Sequence, residues 1–292
     1  MWTKNKDCRE IIESYWGMGV DMSTPEGIME NLKLSASKLS NWSSSVYNHI
    51  PKKIQSKRNA LSTLTQQDKN GELSSKIRTL RRELNELLDD KELYWGQRAK
   101  AHWLKEGDRN TKFFHAHASE RRKQNTIMGI WDEHGRWCKE KESIAQVAVA
   151  YFENIYTTAY PTWVEEVVAA IPTKVSKDMN ESLTRAFTRE EVAIALKQIH
   201  PTKAPRPDGM SAIFYQKYWN IVGNSVTNMV LNVLNHNLPI TEINKTYISL
   251  IPKTNSPKKM TKFWPISLCN VIYKLISKTL ANRLKTLLLL II

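Results

Sequence analysis

Two stretches of the chain combine residue types suited to handling a polyanion. The first places Arg98, Lys105, Arg109 and Lys112 among Trp103, Phe113 and Phe114, and follows them with Arg121-Arg122-Lys123. The second crowds Lys253, Lys258, Lys259 and Lys262 into one short loop. Cations neutralise phosphates and release their counterions, and aromatic rings stack on bases, so the pattern fits single-stranded nucleic acid. A plainer reading stands beside it: Trp103, Phe113 and Phe114 are core, and the cations are a solvated face.

Other residues with chemical potential read as structural. His115-Ala116-His117 points its two rings to different sides of a helix, and no Cys or third His is placed to complete a metal site. Asp89-Asp90, beside Lys91 on a helical run, reads as solvated surface. The three cysteines, Cys8, Cys138 and Cys269, lie far apart, which argues against a disulfide framework or a zinc ribbon and for free thiols.

The elements that must position these residues are mostly helical. Residues 1–20 carry Trp2, Cys8, Ile11, Ile12, Tyr15 and Trp16 at amphipathic helical spacing. Apolar residues then recur every three or four positions: Ile28, Leu32, Leu39, Trp42, Val46 and Ile50, and again Leu73, Ile77, Leu80, Leu84 and Leu87. Asp68-Lys69-Asn70-Gly71 between the runs is a turn signal, so the spacing predicts an antiparallel helical hairpin over 26–95, interrupted or kinked at Pro51. Such a seam packs a helix pair or supports self-association.

Gly107-Asp108 ends one helix, and Asp108 or Asn110 caps the next. Residues 125–138 read as a short β-hairpin around Asp132-Glu133-His134-Gly135, and 144–156 as a helix. Residues 160–177, with Pro161 and Pro172, form a connector. Thr188 and Glu191 make a capping box ahead of Val192, Ala195, Leu196 and Ile199. Pro205, Pro207 and the pair Asp208-Gly209 form a stiff turn. Strands at 247–251 and 263–268 enclose the second basic loop, and a helix carries Leu280 to Leu284.

The formal net charge is +14 and the sequence pI about 9.6, with a mean hydropathy of −0.47. No Asp or Glu follows Glu242, whereas nine Lys or Arg do. That balance suits a polyanionic partner. The N-terminus lacks an apolar signal region, and the terminal run from Leu287 to Ile292 is too short to span a bilayer and reads as a helix cut off mid-course. The expected location is intracellular, nucleus or cytoplasm, with no membrane association.

Several of these stretches, taken in order, resemble the reverse transcriptase of LINE-type (non-LTR) retrotransposons, especially those of plants. The matching residues are Trp103-Leu104-Lys105-Glu106-Gly107-Asp108-Arg109-Asn110-Thr111-Lys112-Phe113-Phe114-His115, then Lys203-Ala204-Pro205-Arg206-Pro207-Asp208-Gly209, then Ile248-Ser249-Leu250-Ile251-Pro252-Lys253, then Trp264-Pro265-Ile266-Ser267-Leu268. The resemblance implies that the loop at Pro205, Asp208 and Gly209 lies against the template strand, and that 247–268 is the fingers hairpin, where Lys253 faces the nucleotide triphosphate. Three positions depart from the family pattern. Arg206 stands where the family has Gly, which costs on the order of 1 kcal/mol if that residue needs a positive φ. Lys262 replaces an acidic residue. Trp264 replaces the Arg that contacts the triphosphate, and an indole carries no charge for that contact.

Two-metal polymerisation needs carboxylates from two places in the palm. The family supplies them in a Phe-Asp strand and an aromatic-Ala-Asp-Asp turn, both expected beyond Ile292. The resemblance therefore implies a catalytically inactive piece with no cofactor of its own, although the intact family uses Mg²⁺. The expected architecture is mainly α with small β elements, a helical hairpin connector followed by a partial polymerase (fingers) domain. Its expected parts are 1–20 as a remnant after a missing endonuclease, 21–124 as connector with basic segment, 125–177 as β-hairpin, helix and linker, and 178–292 as partial fingers. The expected partner is RNA or single-stranded DNA. Two further readings are a helical scaffold working through 26–95 and a translated relic without function.

Overall fold

The computed structural model describes residues 5–99, 111–202 and 208–291, and divides into two compact units. Residues 1–20 and 30–123 belong to the first, residues 21–29 and 124–292 to the second. The architecture is mainly helical with small β elements, as the sequence predicts. No described helix is long and apolar enough to cross a membrane.

In the first unit, α1 (Lys6–Tyr15) begins where the Asn5 side chain accepts the Asp7 N–H at 2.9 Å, and buries Cys8 and Ile12. The long α2 (Pro25–Tyr47) buries Leu32 and Leu39 within this unit. Buried Asn31 donates from Nδ2 to the Tyr15 carbonyl at 3.1 Å, satisfying an acceptor at the end of α1.

The helical hairpin forms with different arms from those the periodicity predicts. Its first arm is α3 (Ile50–Gln67) and its second α4 (Ser74–Ala99), so it covers 50–99 rather than 26–95. Pro51 is the cause. It does not kink one long arm; it occupies the first turn of a new helix, where its missing N–H costs nothing. The run from Ile28 to Val46 belongs to the separate α2. Ile50, Ile54 and Leu84 are buried together, with Tyr47, Leu61, Leu87 and Leu88 packed around them. Burying each of the three contributes roughly 1.5–3 kcal/mol. Lys57 and Glu83 pair across the arms, which run antiparallel. The turn works as its residues predict: Gly71 takes φ 80° and Asp68 Oδ1 accepts the Leu73 N–H at 3.0 Å. Helix α5 (Thr111–Gln124) follows, with Arg121, Arg122 and Lys123 in its last turn, where positive charge suits the helix dipole.

The second unit holds two small antiparallel sheets. One is a two-residue pair, β1 (Ile130–Trp131) with β2 (Trp137–Cys138). Asp132 ties its turn, accepting the Arg136 N–H at 2.7 Å and the His134 N–H at 3.0 Å. Helix α6 (Lys141–Tyr156) packs against this hairpin, and the connector carries one short exposed helix, α7 (Val164–Ala169). The second sheet joins β3 (Thr246–Pro252) to β4 (Phe263–Cys269), with Ile251 opposite Trp264 and Tyr247 opposite Leu268.

Five helices complete this unit. Helix α8 (Lys177–Thr184) leads into α9 (Arg189–Gln198), which opens with the predicted capping box of Thr188 and Glu191. Helix α10 (Ala212–Lys217) is tied to the end of α9 by Gln216, which donates to the carbonyls of Leu196 and Ile199 at 3.0 and 2.8 Å. Helix α11 (Trp219–His236) buries Val222, Val226, Met229 and Val230 and ends at left-handed Asn237. Asn270 caps α12 (Val271–Ile291), accepting the Tyr273 N–H at 2.7 Å and donating to the Ile243 carbonyl at 2.6 Å. Helix α12 packs on α9 and α11, burying Val271, Ile272 and Leu275.

Arg283 of α12 fixes this packing. Its side chain is only 7% exposed. It donates to both oxygens of Glu191 and to the carbonyls of Leu183, Arg185 and Ala186, and it lies 3.5 Å above the Phe187 ring.

Candidate nucleic-acid interface

The β3–β4 hairpin presents the second basic segment. Its loop is closed by the Lys253 N–H, which donates to the Lys262 carbonyl at 2.9 Å, and by a 3-10 turn over Met260–Lys262. Met260 and Phe263 are buried with Ile130, so the base of the loop is anchored in the core formed with β1, β2 and α6. The Trp131 N–H also donates to the Lys258 carbonyl at 2.8 Å. Lys258, Lys259 and Lys262 are exposed, and no carboxylate pairs with them among the described residues. Three ammonium groups are thus held outward on a backbone that is already ordered. That arrangement suits phosphate binding, since little freedom is lost on contact.

Lys253 is placed differently. Its Nζ donates to the Thr261 carbonyl at 2.9 Å and sits 4.4 Å from the centre of the Trp264 ring. Trp264, where the resemblance expects Arg, is 58% exposed and faces outward. The ammonium and the indole therefore form one unit, a cation held by a ring and a carbonyl.

In the first unit, Arg122 and Lys123 are exposed and Arg121 partly buried. The two readings of the aromatic residues divide here. Phe114 is core, 6% exposed, whereas Phe113 is 39% exposed and stacks on His117 with ring centres 5.8 Å apart. His117 thus lies against an aromatic ring, and among the described residues no three His, Cys, Asp or Glu side chains come together to hold a metal ion. Lys105, Arg109 and Pro205 lie outside the described residues, as do Trp103 and Arg206. The side chains of Arg98, at the end of α4, and of Lys112, in α5, also lie outside them.

Asp208 is buried, and its Oδ1 accepts the Met210 N–H at 3.0 Å, a turn-forming contact; Gly209 takes φ 70°, which only Gly adopts without strain. Asp132 follows Trp131 in the turn of the β1–β2 hairpin. The Arg136 backbone N–H, followed by its guanidinium, holds it below the usual carboxylate range, so it stays ionised.

Two features escaped the sequence reading. The contact of Trp131 with the Lys258 backbone joins segments far apart in sequence, and no local pattern announces it. The outward face of β3–β4 carries Tyr247, Trp264 and Ile266, all exposed, where the alternation of apolar and polar residues is poor. Their pairing across the hairpin was the available signal.

No family model matches the chain. Over 194 residues it is 26% identical to the transposon TX1 uncharacterized 149 kDa protein of Xenopus laevis. The likeness is to a transposon protein. The match covers 65% of this chain and 15% of that protein, so the chain spans a small part of the relative's length. It supports a transposon-derived origin for the chain.

Proposed function

We propose that the chain belongs to the reverse transcriptase lineage of LINE-type retrotransposons, as its connector and fingers region, and that these 292 residues bind single-stranded RNA or DNA without catalysing polymerisation. The observation that carries the reading is the β3–β4 hairpin: two seven-residue strands enclose a loop whose Lys258, Lys259 and Lys262 are exposed, without acidic partners among the described residues. The likeness to a transposon protein and the basic balance of the chain support it. Cations in such a loop hold a strand by its phosphates and are indifferent to sequence. Arg121, Arg122 and Lys123 form a second basic surface on this reading.

The test is a filter-binding titration of single-stranded RNA across salt concentrations. Each phosphate contact contributes roughly 0.7 to the slope of log affinity against log salt for a single strand. Changing Lys258, Lys259 and Lys262 together to Gln should flatten the slope by about two and weaken all sequences alike. Identical slopes for wild type and triple variant would make the loop an ordinary solvated surface.

A further inference from the structure

The β3–β4 hairpin has two unlike faces. Leu250 and Phe263 lie on one, packed into the core with Met260 and Ile130. Strand alternation and the observed register put Tyr247, Ile251, Trp264 and Ile266 together on the other. That second face is open: Tyr247 is 64% exposed, Trp264 58% and Ile266 46%. Large rings on a solvent-facing sheet need an explanation beyond folding.

The state of Trp264 narrows it. Lys253 covers one side of the indole, held there by the Thr261 carbonyl. A ring covered on both sides would show only its edges, so an indole still 58% exposed keeps its other side open. The ring is propped from behind and presented. Tyr247 pairs with Leu268, four residues along β4 from Trp264, which sets the two rings about 13 Å apart along the strand. They can therefore meet different bases of one strand. The segment that builds the hairpin favours an anionic occupant: no acidic residue follows Glu242, and nine cations do.

We infer that this face is a stacking platform for the unpaired bases of a single strand, with Trp264 and Tyr247 as its rings and Lys258, Lys259 and Lys262 taking the neighbouring phosphates. The inference rests on the nucleic-acid reading above and adds a non-electrostatic half to it. Stacking on a ring is tolerant of sequence and requires an unpaired base, so the platform selects single strands over duplex.

The experiment is a fluorescence-anisotropy titration of a labelled single-stranded RNA against the full chain at several salt concentrations, with Trp264→Leu, Trp264→Phe and the triple Lys variant in parallel. Trp264→Leu should weaken binding on the order of tenfold at every salt concentration and leave the salt slope unchanged. Trp264→Phe should stay within about threefold of wild type, because a ring remains. A strand with abasic sites should bind wild type at least as poorly as the intact strand binds Trp264→Leu, because it loses stacking on both rings. If Trp264→Leu binds as tightly as wild type while the Lys variant loses slope, the platform is overturned and the nucleic-acid reading stands. If wild type shows no salt-dependent binding, that reading falls and the platform with it. If Trp264→Leu instead converts a dimer to a monomer in sedimentation, the face is a protein interface and the inference is overturned. Should Trp264→Leu lower the melting temperature, Tyr247→Leu, at the end of the sheet away from Met260, carries the same comparison.

Discussion

Arg283 grips Glu191 from both sides of its carboxylate, with Nε 2.8 Å from Oε1 and Nη2 2.9 Å from Oε2. The same Glu191 accepts the Thr188 N–H at 2.9 Å and so closes the capping box that starts α9. One carboxylate thereby serves as helix cap and as ion-pair partner for α12. Removing the guanidinium leaves three carbonyls without this donor and leaves the carboxylate to the Thr188 N–H and to the more exposed Arg185, whose Nη2 lies 3.1 Å from Oε1. Arg283→Ala should cost about 3–5 kcal/mol of stability. Arg283→Lys should rescue little, since an ammonium cannot reproduce the planar fork that meets a carboxylate and carbonyls together. Urea denaturation of the full chain measures both; a wild-type midpoint for Arg283→Ala would show that packing alone holds α12.

The same pair makes stability depend on acid. The hydrogen bond from Arg283 holds the Glu191 carboxyl below the usual glutamate range. A carboxyl with a depressed folded-state pKa contributes its full stabilisation above its unfolded value and loses it as pH falls towards the folded one. The urea midpoint should therefore be steady near neutrality and decline below the ordinary glutamate pKa. Glu191→Gln should be less stable at neutral pH and show a shallower decline. Parallel pH profiles for the two proteins would assign the acid sensitivity elsewhere.

Within the first unit, the α3–α4 seam should be the sensitive point. Ile54 is 5% exposed and Leu84 8%. Leu84→Ala or Ile54→Ala should each cost about 2–5 kcal/mol through lost burial and the cavity left behind. The pair should be less than additive, because the two side chains share one cluster. Circular dichroism during denaturation reads this; near-neutral substitutions would mean the hairpin repacks around the gap.

Catalysis gives a fourth expectation. On the proposed reading, which places the carboxylates of two-metal polymerisation outside these 292 residues, the purified chain should incorporate no labelled nucleotide on any primer-template, with Mg²⁺ or Mn²⁺. Incorporation above background would overturn the non-catalytic part of that reading.

Features set by neighbours in sequence were legible, and those set by distant partners were not. The capping box of Thr188 and Glu191 needs only residues three apart, and it forms as predicted. The strands at 247–251 and 263–268 extend by only a residue at most ends, because turn-forming residues bound them. Pro51 misled the reading in proportion to the strength of the periodicity around it. The apolar spacing runs on through a helix boundary, so the repeat alone could not say whether Pro bends one helix or starts another. In the basic segments, spacing showed which residues gather on the 253–262 loop. It could not show that Lys253 would turn onto Trp264, or that Phe113 and Phe114 would part between surface and core. Those outcomes depend on what packs behind each residue, and the same holds for Arg283, a residue of the 280–284 helix to which the sequence assigned no role and which bonds a carboxylate and three carbonyls.

The distance along the chain between Arg283 and its partners also orders events in time. Leu183, Arg185, Ala186 and Glu191 leave the ribosome roughly a hundred residues before Arg283 does, and at about 5–20 residues per second that interval lasts about 5–20 s. Throughout it the turn between α8 and α9 lacks the donor that its carbonyls meet in the folded chain. Helix α9 can start, because its cap is local, but its docking site is completed only when α12 emerges. Newly made chains therefore pass through a stage in which the second unit is open along the α9 face, and that stage is when a chaperone or an aggregating neighbour meets its apolar core.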